Sequence, residues 1–160
     1  MINVLLDEHQ QMLSALIKHN VNFMLVGGYA VIHYGYERTT GDMDIWLQMG
    51  NENRDKLINA LIDFGIEEEG LEKLKKVDFT GPIQTIHIGL PPRSIDFLTL
   101  ISNVKFEDAI LNVNYFQLEN ITVPVIHYND LILSKLTSNR IKDKADIEEL
   151  QRINKYRNNK

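Results

Sequence analysis

The sequence predicts an α/β (α+β) domain, a mixed β-sheet flanked by helices. Three observations predict it. Helical and strand-like hydrophobic patterns alternate along the chain, a short apolar run stops at a pair of glycines, and acids alternate with apolar residues just beyond. Leu5, Leu6, Met12, Leu13, Leu16 and Ile17 recur at helical spacing and give an amphipathic first helix ending near Asn20. Phe23-Met24-Leu25-Val26 reads as a buried strand closed by Gly27-Gly28, and Tyr29 to Tyr34 as one or two helical turns. Asp42 to Gln48 suits a strand with one polar face. Asn53 to Phe64 is a helix that Gly65 ends, and the charged stretch Glu67 to Lys76 has no clear pattern. Gln84 to Leu90 and Ser94 to Leu100 read as two strands joined through Gly89 and Pro91-Pro92. Tyr115 to Leu118 and Ile121 to Ile126 form a hairpin turning at Glu119-Asn120, and Pro124 argues for an edge position. Asp130 is placed to cap a helix running to about Asn139, and Asp143 to Ile153 forms another.

Composition narrows the function classes. The chain has 160 residues, 44% hydrophobic and 24% charged, enough for one well-buried domain spanning residues 1–160. Without cysteine there is neither a disulfide framework nor thiolate chemistry. No window approaches the roughly 18 to 20 apolar residues of a membrane span, and the expected location is the cytoplasm, with no membrane partner. A net charge of -5 argues against coating nucleic acid by bulk attraction. The charge is uneven, however. Leu131 to Lys160 holds eight basic residues against four acids, which leaves -9 on the first 130 residues. A solvated basic helix accounts for that, as does a surface facing phosphate.

Chemistry concentrates in three places. In Asp42-Met43-Asp44 the two acids lie two apart on a strand and share a face, where like charges repel unless a cation such as Mg²⁺ (or Mn²⁺) lies between them; two surface acids on an exposed strand face are the commoner origin of such a pair taken alone. Ser94-Ile95-Asp96-Phe97-Leu98 puts one acid inside an apolar strand, where it is costly unless paired, hydrogen-bonded or metal-bound. Arg93 or a backbone amide is the ordinary partner for it. Val26-Gly27-Gly28 ends a strand with glycines that let backbone amides approach a phosphate at a helix start, although a Gly-Gly pair by itself is usually only a turn.

These residues, in this order, resemble the nucleotidyltransferase signature of the DNA polymerase beta superfamily: Leu25-Val26-Gly27-Gly28, then Asp42-Met43-Asp44-Ile45, then an acid on a later strand. Residues 27–46, 86–109 and 130–151 resemble, more narrowly, small bacterial nucleotidyltransferase-like proteins related to the AbiEii toxin family. The resemblance implies a nucleotidyltransferase fold and a metal-dependent transfer of an NMP group from an NTP to an acceptor hydroxyl. Gly27 and Gly28 would hold the triphosphate and Asp42, Asp44 and Asp96 the metal, with Asp96 acting on the acceptor. Lys135 would reach phosphate. Arg140, Asp143 and Asp146 match an Arg-x-x-Asp-x-x-Asp pattern that serves packing or catalysis. The acceptor is open: RNA, a small molecule or a protein. A non-catalytic nucleotide- or partner-binding module, or a toxin–antitoxin component with a partner protein, are the alternatives.

Other residues carry two readings each. Arg38 suits phosphate contact or an ion pair with Asp42 or Glu37, and Thr39 and Thr40 set the entry to the strand. Trp46 could stack on a base, with core packing favoured. Tyr29 and Tyr34 line a nucleotide pocket or simply pack. His33 and His87 lie among apolar residues and read as core, as do His9, His19 and His127.

Overall fold

The structure, a computed structural model, describes residues 7–159. Six strands form one sheet in the order β3-β4-β2-β1-β6-β5. They are β1 (Phe23–Val26), β2 (Asp42–Leu47), β3 (Ile86–Ile88), β4 (Ser94–Leu98), β5 (Asn114–Leu118) and β6 (Ile121–Val125). The helices are α1 (Asp7–Lys18), α2 (Gly27–His33), α3 (Asn51–Phe64), α4 (Phe106–Ala109), α5 (Tyr128–Lys135) and α6 (Ile141–Asn158). The mixed sheet flanked by helices is the fold class the sequence predicts.

The topology decides where the chemistry lies. β1 runs antiparallel to β2, so its C-terminal end, Val26, pairs with Asp44 near the start of β2. β4 runs parallel to β2 and brings Ser94 opposite Asp42 and Asp96 opposite Asp44. Strand ends from three parts of the sequence therefore meet at one edge of the sheet's centre. The opposite ends are tied by Asn53, a buried side chain whose Oδ1 accepts from Asn22 N (2.8 Å) while Nδ2 donates to the carbonyls of Asn22 (3.0 Å) and Gln48 (2.8 Å).

Apolar periodicity explains the core. Met12, Leu13 and Leu16 of α1 are fully buried, as are Leu57 and Leu61 of α3, and the two helices pack together. β1 is buried along its whole length, as its continuous apolar run requires. On β2, Met43, Ile45 and Leu47 are buried on one face. Trp46 shares the other face with the two acids but is 1% exposed; its Nε1 donates to Thr99 O (3.1 Å) and its ring meets Phe106 edge-on. It belongs to the core.

Several boundaries differ from expectation. Leu5 and Leu6 lie outside the described residues. The second helix begins at Gly27 itself rather than at Tyr29. α5 stops at Lys135, short of Asn139, and its cap is His127, whose Nδ1 accepts from Asn129 N (3.1 Å), instead of Asp130. α6 runs from Ile141 to Asn158, beyond both limits expected for it. The third strand shrinks to Ile86–Ile88, residues 68–71 and 74–76 form 3₁₀ turns, and α4 has no counterpart in the sequence reading.

The Pro124 inference fails, because β6 lies between β1 and β5. Ile126 N donates to Leu25 O, and backbone N–H groups alternate sides, so position 124 also faces β1. There the register is confined to Leu25–Val125, and the missing N–H falls at the margin of that short ladder.

Replacing Trp46 by Phe removes the donor from a buried carbonyl and leaves a void. The unfolding free energy falls by about 1–3 kcal/mol, measured by urea denaturation followed by circular dichroism.

Candidate active site

Asp42, Asp44 and Asp96 share one face of two neighbouring strands. Asp44 and Asp96 are direct register partners, and Asp42 lies two residues before Asp44. Parallel neighbours in register hold their side chains side by side, so the backbone forces the carboxylates together. The electrostatic consequence appears at Asp44. Burial, the charge of Asp96 and the charge of Asp42 push its carboxyl up from its ordinary 3.8 to about 6, against the opposing pull of Lys135 and Lys142.

The outer two acids each have a donor. Ser94 Oγ donates to Asp42 Oδ1, and Asp96 Oδ1 lies 2.6 Å from His87 Nδ1. Arg93, the expected partner of Asp96, pairs instead with Glu8 (3.1 Å). Among the described residues, no three acids or imidazoles lie close enough together to form a metal-binding group as they stand.

Gly27 completes this corner. Its φ is +66°, and a Cβ there would fall on Asp44 Oδ2 and within 2.9 Å of Asp44 Cγ. A Cβ on Gly28 would meet Thr40, at 2.7 Å from its Cβ, and Arg38 Nη1 at 3.3 Å. Both glycines are thus required by close approach inside the protein. They let Asp44 and the segment 38–40 lie directly against the start of α2.

The whole arrangement sits within a recognisable sequence pattern. The profile of a family described as "Nucleotidyltransferase of unknown function (DUF6036)" matches residues 4–158. The chain belongs to this family. No curated protein matches it.

Two of the candidate cationic residues, Arg38 and Lys135, form a separate, largely buried cluster. Arg38 Nε and Nη2 donate to the two oxygens of Asp146 (2.8 and 3.0 Å), a two-point pair. Lys135, only 8% exposed, reaches Asp143 (3.0 Å) and Asp146 (3.1 Å). Burial works to raise the carboxyl of Asp143, but the Ser138 hydroxyl and the Lys135 ammonium outweigh it and hold it low. Arg38 therefore pairs with Asp146, 108 positions away, and with neither Asp42 nor Glu37. Asp143 and Asp146 are the packing partners of Arg38 and Lys135. Arg140 is exposed at the start of α6.

The aromatic candidates pack. Tyr29 OH meets His9 Nδ1 (2.8 Å), and Tyr34 OH donates to Ile126 O (2.7 Å) and accepts from Asn114 Nδ2 (2.8 Å). His9 is fully buried and burial lowers its pKa, whereas His33 is half-buried beside Tyr34 and Phe116. His87 departs from the core reading. It is exposed on an edge strand and bonded to Asp96. The signal that reveals it is register: His87 is the cross-strand partner of Asp96. Ser94 and Lys142 likewise reach the acids only through strand pairing and helix docking, which the sequence pattern does not encode.

Two outcomes follow from this geometry. Gly27→Ala forces Asp44 aside and imposes a left-handed backbone on a side chain, at a cost of about 1–2 kcal/mol from the backbone alone; a lowered thermal midpoint measures it. Asp44 binds a proton in the folded state between its ordinary 3.8 and about 6, where the unfolded chain has lost it, so stability falls as pH rises through that window. Asp44→Asn removes this dependence and raises the unfolding free energy at pH 7 without divalent cations, by at most about 3 kcal/mol. Urea titrations at pH 4 and pH 7 read the difference.

Proposed function

We propose that this nucleotidyltransferase is a divalent-cation-dependent enzyme that moves a nucleoside monophosphate from an NTP to an acceptor hydroxyl. The observation that carries the proposal is the register of Asp44 against Asp96, with Asp42 on the same face. Three carboxylates are hard oxygen donors, and beside the burial that raises the pKa of Asp44 first, the charges of Asp96 and Asp42 raise it further, a repulsion that a cation among them would relieve. The donor set therefore fits Mg²⁺ or Mn²⁺, held by Asp42, Asp44 and Asp96. When bound, the ion supplies a lowered pKa for the attacking hydroxyl and neutralises charge on the departing pyrophosphate.

The chain's own residues do the rest by position and charge. Asp96, on the outer side of Asp44, faces the acceptor hydroxyl. As the acceptor hydroxyl gives its proton to Asp96 and its oxygen bonds to the α-phosphorus, the α–β phosphoanhydride breaks and pyrophosphate leaves. Arg38 Nη1, beside Gly28, and Lys135, close enough to act on Asp44, offset charge on the triphosphate. Arg38 also donates through Nη1 to Thr39 O (2.8 Å), and Asp146 holds its other nitrogens, which fixes the guanidinium next to the glycine turn.

Kinship with the AbiEii toxin family and a cytoplasmic setting belong to the same proposal, and a toxin–antitoxin component is the alternative to it. Among the described residues, no helix is long and apolar enough to cross a membrane. RNA is the acceptor that the exposed Lys142, Lys144 and Lys155 of α6 favour.

Purified protein incubated with α-labelled NTPs, Mg²⁺ and total cellular RNA, or lysate, transfers label to an acceptor, and Asp44→Asn reduces transfer to background. NTP binding with Mg²⁺ but no transfer to RNA, protein or small hydroxyl compounds would replace the enzyme by a nucleotide-binding module.

A further inference from the structure

His87, Asp96 and Asp44 form a row across three adjacent strands, β3, β4 and β2. Ile86 and Ile88 are half-buried, so alternation along β3 places His87 on the opposite face, with the acids. Asp96 thus has a like charge on one side and an imidazole on the other. A carboxylate oxygen only accepts, so Nδ1 carries the hydrogen in the 2.6 Å contact with Asp96 Oδ1.

An exposed cross-strand pair is ordinarily worth little to stability, and the His87 side chain is 69% exposed. What sets this pair apart is its repetition at the other outer acid. Asp42 is held through Oδ1 by Ser94, and Asp96 through Oδ1 by His87. Among the described residues, Oδ2 of each accepts no hydrogen bond. The terminal torsion of an aspartate is broad, and a donor on one oxygen selects the plane in which the other is presented. Groups that orient metal ligands in this way commonly change metal affinity by about 10- to 100-fold.

We propose that His87 is a positioning residue for the third carboxylate: its Nδ1–H holds Asp96 Oδ1 and leaves Oδ2 for the divalent cation. This rests on the metal-dependent reading above. Mn²⁺ alone, titrated into the full chain and followed by the electron paramagnetic resonance of the free ion, tests it. His87→Ala weakens Mn²⁺ binding about tenfold with an unchanged thermal midpoint, and His87→Asn, which keeps an N–H donor, recovers most of the affinity. Wild-type affinity in His87→Ala, while Asp44→Asn abolishes binding, would overturn the positioning role and leave the enzymatic reading intact. Equal losses in His87→Ala and His87→Asn would also overturn it, since the N–H would then not be what matters. Failure of the wild type to bind Mn²⁺ would instead remove the metal-dependent reading itself.

Discussion

Repulsion among three carboxylates is the constraint around which this protein is organised. Hydrogen bonding between β2 and β4 places Asp44 beside Asp96, and alternation along β2 adds Asp42 to the same face. None of the three can retreat without breaking a strand in the centre of the sheet. The buried apolar residues between them, Met43, Ile45, Ile95 and Phe97, hold that backbone rigid. The fold thus opposes local electrostatics: burial first, and then the charges of Asp96 and Asp42, raise the proton affinity of Asp44. Carboxyls perturbed by burial together with specific charged neighbours concentrate at functional sites.

The protein keeps its own cations out of that conflict. Arg38 and Lys135 are near enough to matter but are committed to Asp146 and Asp143, a cluster of two positive and two negative groups. Buried charges persist only when matched in this way. Lys135 still reduces the field at Asp44, but no ammonium or guanidinium among the described residues forms an ion pair with any of the three acids. The cationic cluster and the anionic triad meet across the glycine turn, where a side chain on Gly27 would strike Asp44 and one on Gly28 would crowd Thr40 and Arg38.

How much of this was legible in the sequence follows from the range of each interaction. Phe23–Val26, the paired glycines and the alternation at Asp42–Asp44 are local patterns, and the strands, the turn and the shared face were readable from them. The Glu119-Asn120 hairpin was readable for the same reason, joining Asn114–Leu118 to Ile121–Val125. What stayed hidden depends on partners far along the chain. Asp146 as the mate of Arg38, His87 as the mate of Asp96 and the interior place of β6 all arise from strand order and helix docking, which hydrophobic periodicity does not encode. Pro124 misled because its missing N–H was read as an edge signal, when a short ladder tolerates it equally well. The glycines were assigned to a phosphate on general grounds, and the structure adds a more immediate reason for them in the side chains that lie against them.

The Arg38–Asp146 pair has a consequence for the making of the protein. Synthesis proceeds from the N-terminus, so β1, β2 and β4 emerge with their acids and with Arg38 well before α6 exists. Until Asp146 leaves the ribosome, Arg38 and Lys135 have no buried anion at the centre of their cluster, and the 34–41 segment has nothing on α6 to hold it against the glycine turn. The nascent chain consequently carries its acids before the surroundings that order them, and the site matures only once α6 has been made.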